Sequence, residues 1–586
     1  MFHVEHYLLT VFLKKRLIYF VGLFCFFFLN LFRFYVSVLI FKIMKVIKGN
    51  IVDIHNREIF PGKVYFKRGF IERIERCGDN FGQYILPGFI DSHVHIESSM
   101  VVPSLFSRLV VPRGTIGVLT DPHEIGNVLG VEGVEYMIDD AKNTPLKIFF
   151  GAPSCVPATN LESSGAIIDC TGVDYLLNRK EVCFLSEMMN YVGVINNDKE
   201  VWKKIRLAQK RRIPIDGHAP GIGGEELNKY ASAGISTDHE CFTLKEALDK
   251  IKCGMKIQIR EGSAAKNFEA LVPLFNSHPD SLMLCTDDSH PHELIKDGHI
   301  DKLIKLGLKK GVDLYDLLRA ASLNPVEHYN LPVGLLREGD KADFIVIDNL
   351  DEFNVKESYI DGEKVFDHRY GVLFDKKEVK IVNQFKAHEI SLEDIKVMVP
   401  QNASKVNVIQ CFDGSLVTDA LTLDIWDDKV LESCADKDIL KIVVVDRYKN
   451  KPASVGFIKG FGFKKGAIAS SVAHDSHNVV AVGVEDEHIV NALNLIMENK
   501  GGLSVSSKNN QSVLPLPIGG IMSNQDGIEV GKKYANIEKM AVDMGCNLKS
   551  PFMTLSFMSL LVIPKLKIGD KGLFDGEKFE FISLFN

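Results

Sequence analysis

The stretch "LPGFIDSHVHIESSM", residues 86–100, sets His93 and His95 one residue apart at the end of an apolar run, with Asp91 and Glu97 in the same alternation. On a β-strand, residues i and i+2 share a face, so His93, His95 and Glu97 are expected to point one way. The Pro87-Gly88 pair reads as the turn that launches the strand. Two imidazoles converging from one strand suit a metal ion, whose commonest protein ligand is neutral imidazole. An HxH pair is short, and it describes two polar residues at a solvated strand end equally well.

The elements that would position such a site repeat along the chain. From residue 88 onward, short apolar runs alternate with charged segments of helical spacing, the pattern of βα units around a parallel sheet. The runs are "GFIDSHVHI", "TIGVLTD", "KIFFGAPSCV", "VCFLSEMMN", "IPIDGHAP", "ISTDHE", "KIQIREGS" and "LMLCTDD". Helical spacing marks "VEGVEYMIDDAKN", "KEVWKKIRLAQKRR", "GEELNKYASAG" and "LKEALDKIKCG" between them. Eight units over residues 88–329 match an α/β fold, the (β/α)8 TIM-like barrel, whose usual size is ~250 residues. In that fold catalytic groups sit at the C-terminal ends of strands. His93 and His95 end the first run; Asp121, with His123 and Glu124 beyond, the second; Glu187 the fourth; His218 the fifth; Asp238-His239-Glu240 the sixth; Asp287-Asp288 the eighth. Any one of these is as well explained by a cap. Together, at matching positions, they point to a metal site.

Composition sets the frame. The 586 residues allow three or four domains at ~100–200 residues each. A net charge of −7 leaves no basic footprint for nucleic acid, so no nucleic-acid partner is expected. Eleven cysteines without a CxxC pair argue against a disulfide scaffold or zinc ribbon and favour a reducing, cytoplasmic setting. Residues 1–43 differ from the rest. They contain "LIYFVGLFCFFFLNLFRFYVSVLIF", 25 residues where a bilayer span needs roughly 20. They also hold ten of the 37 phenylalanines, a bias that translated AT-rich upstream DNA would produce. The segment reads as an apolar extension, either a spurious start ahead of Met44 or a membrane anchor.

In order and spacing, "PGFIDSHVHIESS", "TDPHEIGNVLG", "LSEMMN", "DGHAPG", "TDHE" and "CTDD" resemble the amidohydrolase superfamily and, within it, the adenine deaminases. The similarity runs from about residue 45 to the C-terminus and includes "GAIASSVAHDSHNVVAVG" and "PLPIGGIMS". The resemblance implies two divalent ions, manganese or iron or else zinc, held by His93, His95, Glu187, His218, His239 and Asp287. Many amidohydrolases bridge the two metals with a carbamylated lysine after the fourth strand; here "FLSEMMN" offers Glu187 instead. It further implies hydrolysis of adenine to hypoxanthine and ammonia, a purine-salvage reaction, by metal-activated hydroxide. Asp287 is then the expected proton shuttle, and Glu97, Glu124 and His123 are candidates for the acid at the ring nitrogen, because "GHAPGIGG" lacks the glutamate that adenosine deaminases place there. The cytidine-deaminase design needs HxE and PCxxC, and PCxxC is missing. A free base is therefore the expected substrate, and a homodimer the expected assembly.

The flanks read as a small β-sandwich domain from residues 44–87 plus 330–385, beside the barrel of 88–329, and a further α/β region over 386–586. In the last, "KGFGFKKG" reads as hairpin glycines rather than a phosphate loop. In "SSVAHDSHN", His474, Asp475 and His477 could cap the barrel mouth, hold another metal, or form a polar turn. Two rival readings stand beside deamination: a cyclic amidohydrolase of the same superfamily, which would favour a bridging lysine, and a membrane-tethered protein with a structural metal, which would favour four Cys or His ligands.

Overall fold

The computed structural model describes residues 44–586 apart from 80, 264 and 428. Residues 1–43, with the extension-or-anchor reading, lie outside the described residues. Among the described residues, no helix is long and apolar enough to cross a membrane.

Each of the eight apolar runs forms a strand: β1 (Phe89–Val94), β2 (Thr115–Thr120), β3 (Lys147–Ala152), β4 (Val182–Met188), β5 (Ile215–Gly217), β6 (Thr237–Asp238), β7 (Lys256–Arg260) and β8 (Leu282–Cys285). β1 to β5 form one parallel ladder, and β6 to β8 a second. Single parallel bridges join the two, Ile215 to Ile235 and Val94 to Asp287. The strands close into a TIM-like barrel. They read as continuous apolar runs because helices cover a parallel sheet from outside and side chains fill it from within; Leu282, Met283, Leu284 and Cys285 are all fully buried. The helical segments are also found, for example Lys199–Arg211, capped at its start by the Asp198 carboxylate.

Chain on both sides of the barrel makes one sheet. Phe344–Ile347 pairs antiparallel with Tyr84–Pro87, joining Val355–Ile360, Glu363–Asp367 and Gly371–Val372 to Lys45–Asp53, Glu58–Lys67 and Phe70–Arg76. A second eight-stranded sheet lies between residues 405 and 515, with helix Asp486–Asn499 packed on it. Here the hairpin reading of "KGFGFKKG" is corrected. Ser454–Lys459 and Ala467–Ser470 are not neighbours; Ile439–Val445 and Val479–Gly483 lie between them. The glycines serve a crossing loop in which Gly460 and Gly462 adopt positive φ and donate their N–H groups to the Asp438 carboxylate.

The C-terminal chain is tied to the barrel rim. Ser523 N–H donates to Met100 O at 2.7 Å, and a Cβ at Gly519 would meet Ile125 Cδ1 at 2.3 Å. Only glycine permits that approach.

Candidate metal centre

β1 ends at Val94, three residues before the expected alternation is complete at Glu97. His95 caps a 3-10 turn, Ile96–Ser99, so Glu97 leaves the strand face; its Oε1 accepts the Ile125 N–H at 3.2 Å and its Oε2 is buried without a partner. The reason is local: Ser99 Oγ donates to Ile96 O and Met100 N–H to Glu97 O, which favours a turn over extension.

Glu187 lies at the centre, the second-to-last residue of β4. Its Oε1 is 3.3 Å from His95 Nε2 and 3.5 Å from His123 Nδ1; its Oε2 is 2.8 Å from His218 Nδ1 and 3.2 Å from His239 Nε2. Asp287 Oδ1 lies 3.3 Å from His95 Nε2 and 3.6 Å from His93 Nε2. The His93 and His239 rings stack at 4.1 Å. Among the donor groups compact enough to share an ion are His95 with Asp121, His123 and Glu187; His93 with His239 and Asp287; Glu187 with His218 and His239; and, beside them, His123 with Glu124 and Asp475.

Whether this set fits a cation is decided by its protons. His95 Nδ1 lies 3.0 Å from the Asp121 carbonyl, an acceptor, so Nδ1 carries the ring proton. Nε2 then faces oxygens of Glu187 and Asp287. Carboxylates there call for positive charge between themselves and the ring nitrogen, either a second ring proton or a cation. Burial would lower the His95 pKa, yet Asp287 and Glu187 lift it well above its usual value, which expresses that demand. His93 Nε2 and His239 Nδ1 are buried without hydrogen-bond partners. Imidazole and carboxylate donors, buried and mutually unsatisfied, fit a divalent ion. Burial disfavours the charged forms of Glu187 and Asp287, but the histidines around the first and Arg260 beside the second hold both well below the usual carboxylate range.

The surroundings fix these side chains. Asp91 accepts the N–H groups of His93 and Thr286 at 3.2 and 3.1 Å, tying β1 to the end of β8. Asp238 accepts from Lys250 Nζ at 2.8 Å and from Ala219 and Glu240 N–H, joining the loops that carry His218 and His239. Arg260, fully buried at the end of β7, donates through Nη1 to both Glu240 and Asp287 and through Nη2 to Glu240 Oε2 at 2.9 Å. Sequence reasoning passed over Arg260 and gave Glu240 no role. The available signal was a cation in "KIQIREGS", at the end of the seventh run, when six of the other strand ends carry histidine or acid.

A second cluster adjoins the first. His123 Nδ1 is 3.0 Å from Asp121 Oδ2, and its Nε2 is 3.6 Å from Glu124 Oε1. Glu124 lies between His474 Nδ1 and His477 Nε2, each in very short contact with one oxygen. Asp475 is buried beside His123 and Glu124. Burial pushes Glu97 up to about 7 and Asp475 up to about 6, and the Glu124 carboxylate lifts His474 to about 9 against its own burial.

Of the residues singled out from sequence, His93, His95, Glu187, His218, His239 and Asp287 thus converge, His123 touches their edge, and Glu124, His474, Asp475 and His477 form the neighbouring cluster. Glu97 stands apart, bonded to the start of the helix His123–Leu129.

Known proteins resemble this chain along most of its length. A model described as "Amidohydrolase family" matches residues 84–365, and one described as "Adenine deaminase C-terminal domain" matches residues 415–580. The adenine deaminase of Methanosarcina mazei is 52% identical over 553 residues, covering 92% of this chain and 100% of the relative. That of Methanosarcina barkeri is 53% identical over 549 residues, covering 92% and 100%. That of Sulfurovum sp. is 50% identical over 536 residues, covering 91% and 98%. A barrel whose rim gathers histidine and carboxylate, matched nearly end to end by such relatives, has one reading: the chain belongs to the adenine deaminase family of amidohydrolases.

Proposed function

We propose that this chain hydrolyses adenine to hypoxanthine and ammonia using two divalent ions. The observation that carries the reading is Glu187, whose two oxygens face two separate groups of histidines. His93, His95, Asp287 and one Glu187 oxygen would hold one ion; His218, His239 and the other oxygen would hold the second. Manganese or iron suits such nitrogen and oxygen donors, as does zinc. When bound, a divalent ion supplies Lewis acidity that lowers the pKa of water and so provides a nucleophile near neutral pH.

The chain's own groups handle the protons. Asp287 takes a proton from the attacking water and returns it to the amino group as C6 becomes tetrahedral; ammonia leaves and C6 becomes the carbonyl of hypoxanthine. Arg260 holds Oδ2 of that carboxylate, leaving Oδ1 toward the histidines. Protonation of the ring nitrogen beside C6 draws electrons from the carbon under attack. Glu97 is our choice for this acid over His123 and Glu124, because its Oε2 is unengaged, whereas both Glu124 oxygens meet histidines and His123 Nδ1 meets Asp121. The absence of a lysine near the Glu187 position disfavours the cyclic-amide rival.

The deciding experiment supplies manganese during expression, counts metal per chain, and follows hypoxanthine and ammonia from adenine. Two ions per chain and matched release of both products are expected. Ring opening of a cyclic amide without adenine turnover would overturn the reading. We further propose a homodimer, a cytoplasmic location and the division 44–87 plus 330–385, 88–329 and 386–586, which light scattering, fractionation and limited proteolysis test in turn.

A further inference from the structure

We propose that His474 and His477 are positioning residues that hold the Glu124 carboxylate as a hydrogen-bond acceptor for the ring N–H of a free purine base. The inference rests on the deamination reading above. It assigns to the C-terminal chain a part in substrate selection.

The proton positions come first. The Ala473 N–H donates to His477 Nδ1 at 3.2 Å, so Nδ1 is an acceptor and the ring proton resides on Nε2. That proton points at Glu124 Oε2. His474 presents Nδ1 to the other oxygen. Two donors thus grip one carboxylate at both ends, and the remaining lone pairs can only accept. The same tautomer argues against a third metal here. A cation on His477 Nε2 would require a proton on Nδ1, directed at the Ala473 N–H.

The grip is itself braced. The His474 ring stacks on Phe557 at 4.7 Å, and the His474 backbone N–H donates to Ser556 O at 3.0 Å. His477 sits in left-handed backbone, φ 55°, with its carbonyl accepting from the buried Arg447 Nη1 at 3.3 Å. Backbone of this kind persists where surroundings over-determine it, often at ligand clamps. On the other side Gly519 abuts Ile125, in the helix that carries Glu124.

Position supplies the ligand. The His123 ring lies between Glu187 and Glu124, 3.5 Å from an oxygen of the first and 3.6 Å from an oxygen of the second. Glu124 is therefore set off from the centre where C6 must react by one imidazole ring and a non-bonded contact on each side of it. A purine with C6 at that centre extends its own imidazole half away from it. In a free base that half bears an N–H; in a nucleoside the sugar replaces it. A site built to accept an N–H discriminates strongly against an analogue lacking it.

The test measures kcat and KM for adenine and 9-methyladenine with wild type, His477→Phe, His477→Gln, His474→Phe and His474→Asn, alongside metal per chain. Glutamine and asparagine keep an N–H near the lost Nε2 and Nδ1. The Phe variants should raise KM for adenine roughly 10–100-fold, the loss expected for a hydrogen bond to a charged group, with metal content unchanged. Their preference for adenine over 9-methyladenine should narrow by a similar factor, and the Gln and Asn variants should recover most of both. A Phe variant with wild-type KM and preference would overturn the proposal, as would Gln or Asn variants no better than Phe. If the Phe variants fail to fold, Glu124→Gln decides: an unchanged KM refutes the proposal. Wild type inert toward adenine would refute the functional reading instead; the clamp is then read from 15N-histidine spectra of zinc-loaded protein, where a proton on His477 Nδ1 would overturn it.

Discussion

Arg260 binds Asp287 from outside the histidine cluster: its Nη1 donates to Oδ2, while Oδ1 of the same carboxylate lies 3.3 Å from His95 Nε2. One oxygen is spoken for by a fixed cation, so the other keeps a constant aim. Arg260 also carries Glu240, and all three side chains are buried. Removing the guanidinium leaves two carboxylates without a counter-charge. Arg260→Met should destabilise the fold by roughly 3–5 kcal/mol, seen calorimetrically as a lowered Tm. Arg260→Lys should lose less stability yet lower kcat, because an ammonium cannot present the planar fork. Wild-type kcat in the lysine variant would contradict this role.

Metal removal has a thermal signature. Ring nitrogens and carboxylates that face each other in the buried centre need positive charge between them. Chelation should lower Tm, and restoring manganese at 100 times its dissociation constant should regain about 2.7 kcal/mol per site. A melting curve indifferent to chelator would show that these side chains bind no ion.

Glu97→Gln separates acid catalysis from metal binding. Its Oε1 accepts only the Ile125 N–H, so the amide fits the same space. Turnover should fall ~10²–10⁴-fold, the usual contribution of a general acid, with metal per chain unchanged. Near-normal turnover would move the acid to His123.

Lys567 gives a pH test remote from the centre. It is fully buried, donates to Leu416 O and Phe557 O at 2.8 and 3.0 Å, and burial pushes it down to about 7. In the unfolded chain a lysine holds its proton up to ~10.4. Between those values the unfolded state binds the extra proton, so this group's contribution to stability rises with pH. The ceiling is about 5 kcal/mol, from roughly 1.36 kcal/mol per pKa unit. Differential scanning of wild type against Lys567→Met should show the Tm gap shifting in favour of wild type from pH 7 to 10. A constant gap would refute the shift.

How much of this was legible in the chain depends on range. The strands were legible because a parallel strand is apolar on both faces and stops where polar groups begin, as "LMLCTDD" does. The donors at their ends followed from that register. Glu97 was misread because alternation was carried one turn too far. Arg260 was missed because its partners lie 20 and 27 residues away, and a cation at a strand end looks the same whether it faces water or acid. The bond from His474 to Glu124 spans 350 residues, so no local pattern reports it.

The bridge from Val94 to Asp287 places the last seam of the barrel inside the reactive centre. Asp287 N–H donates to His93 O there at 2.9 Å. A nascent chain halted before Leu282 would carry the imidazoles of 93 and 95 without the Asp287 carboxylate that faces both. Capture of the ion therefore belongs to the closing act of folding, and the catalyst matures only when the ring is whole.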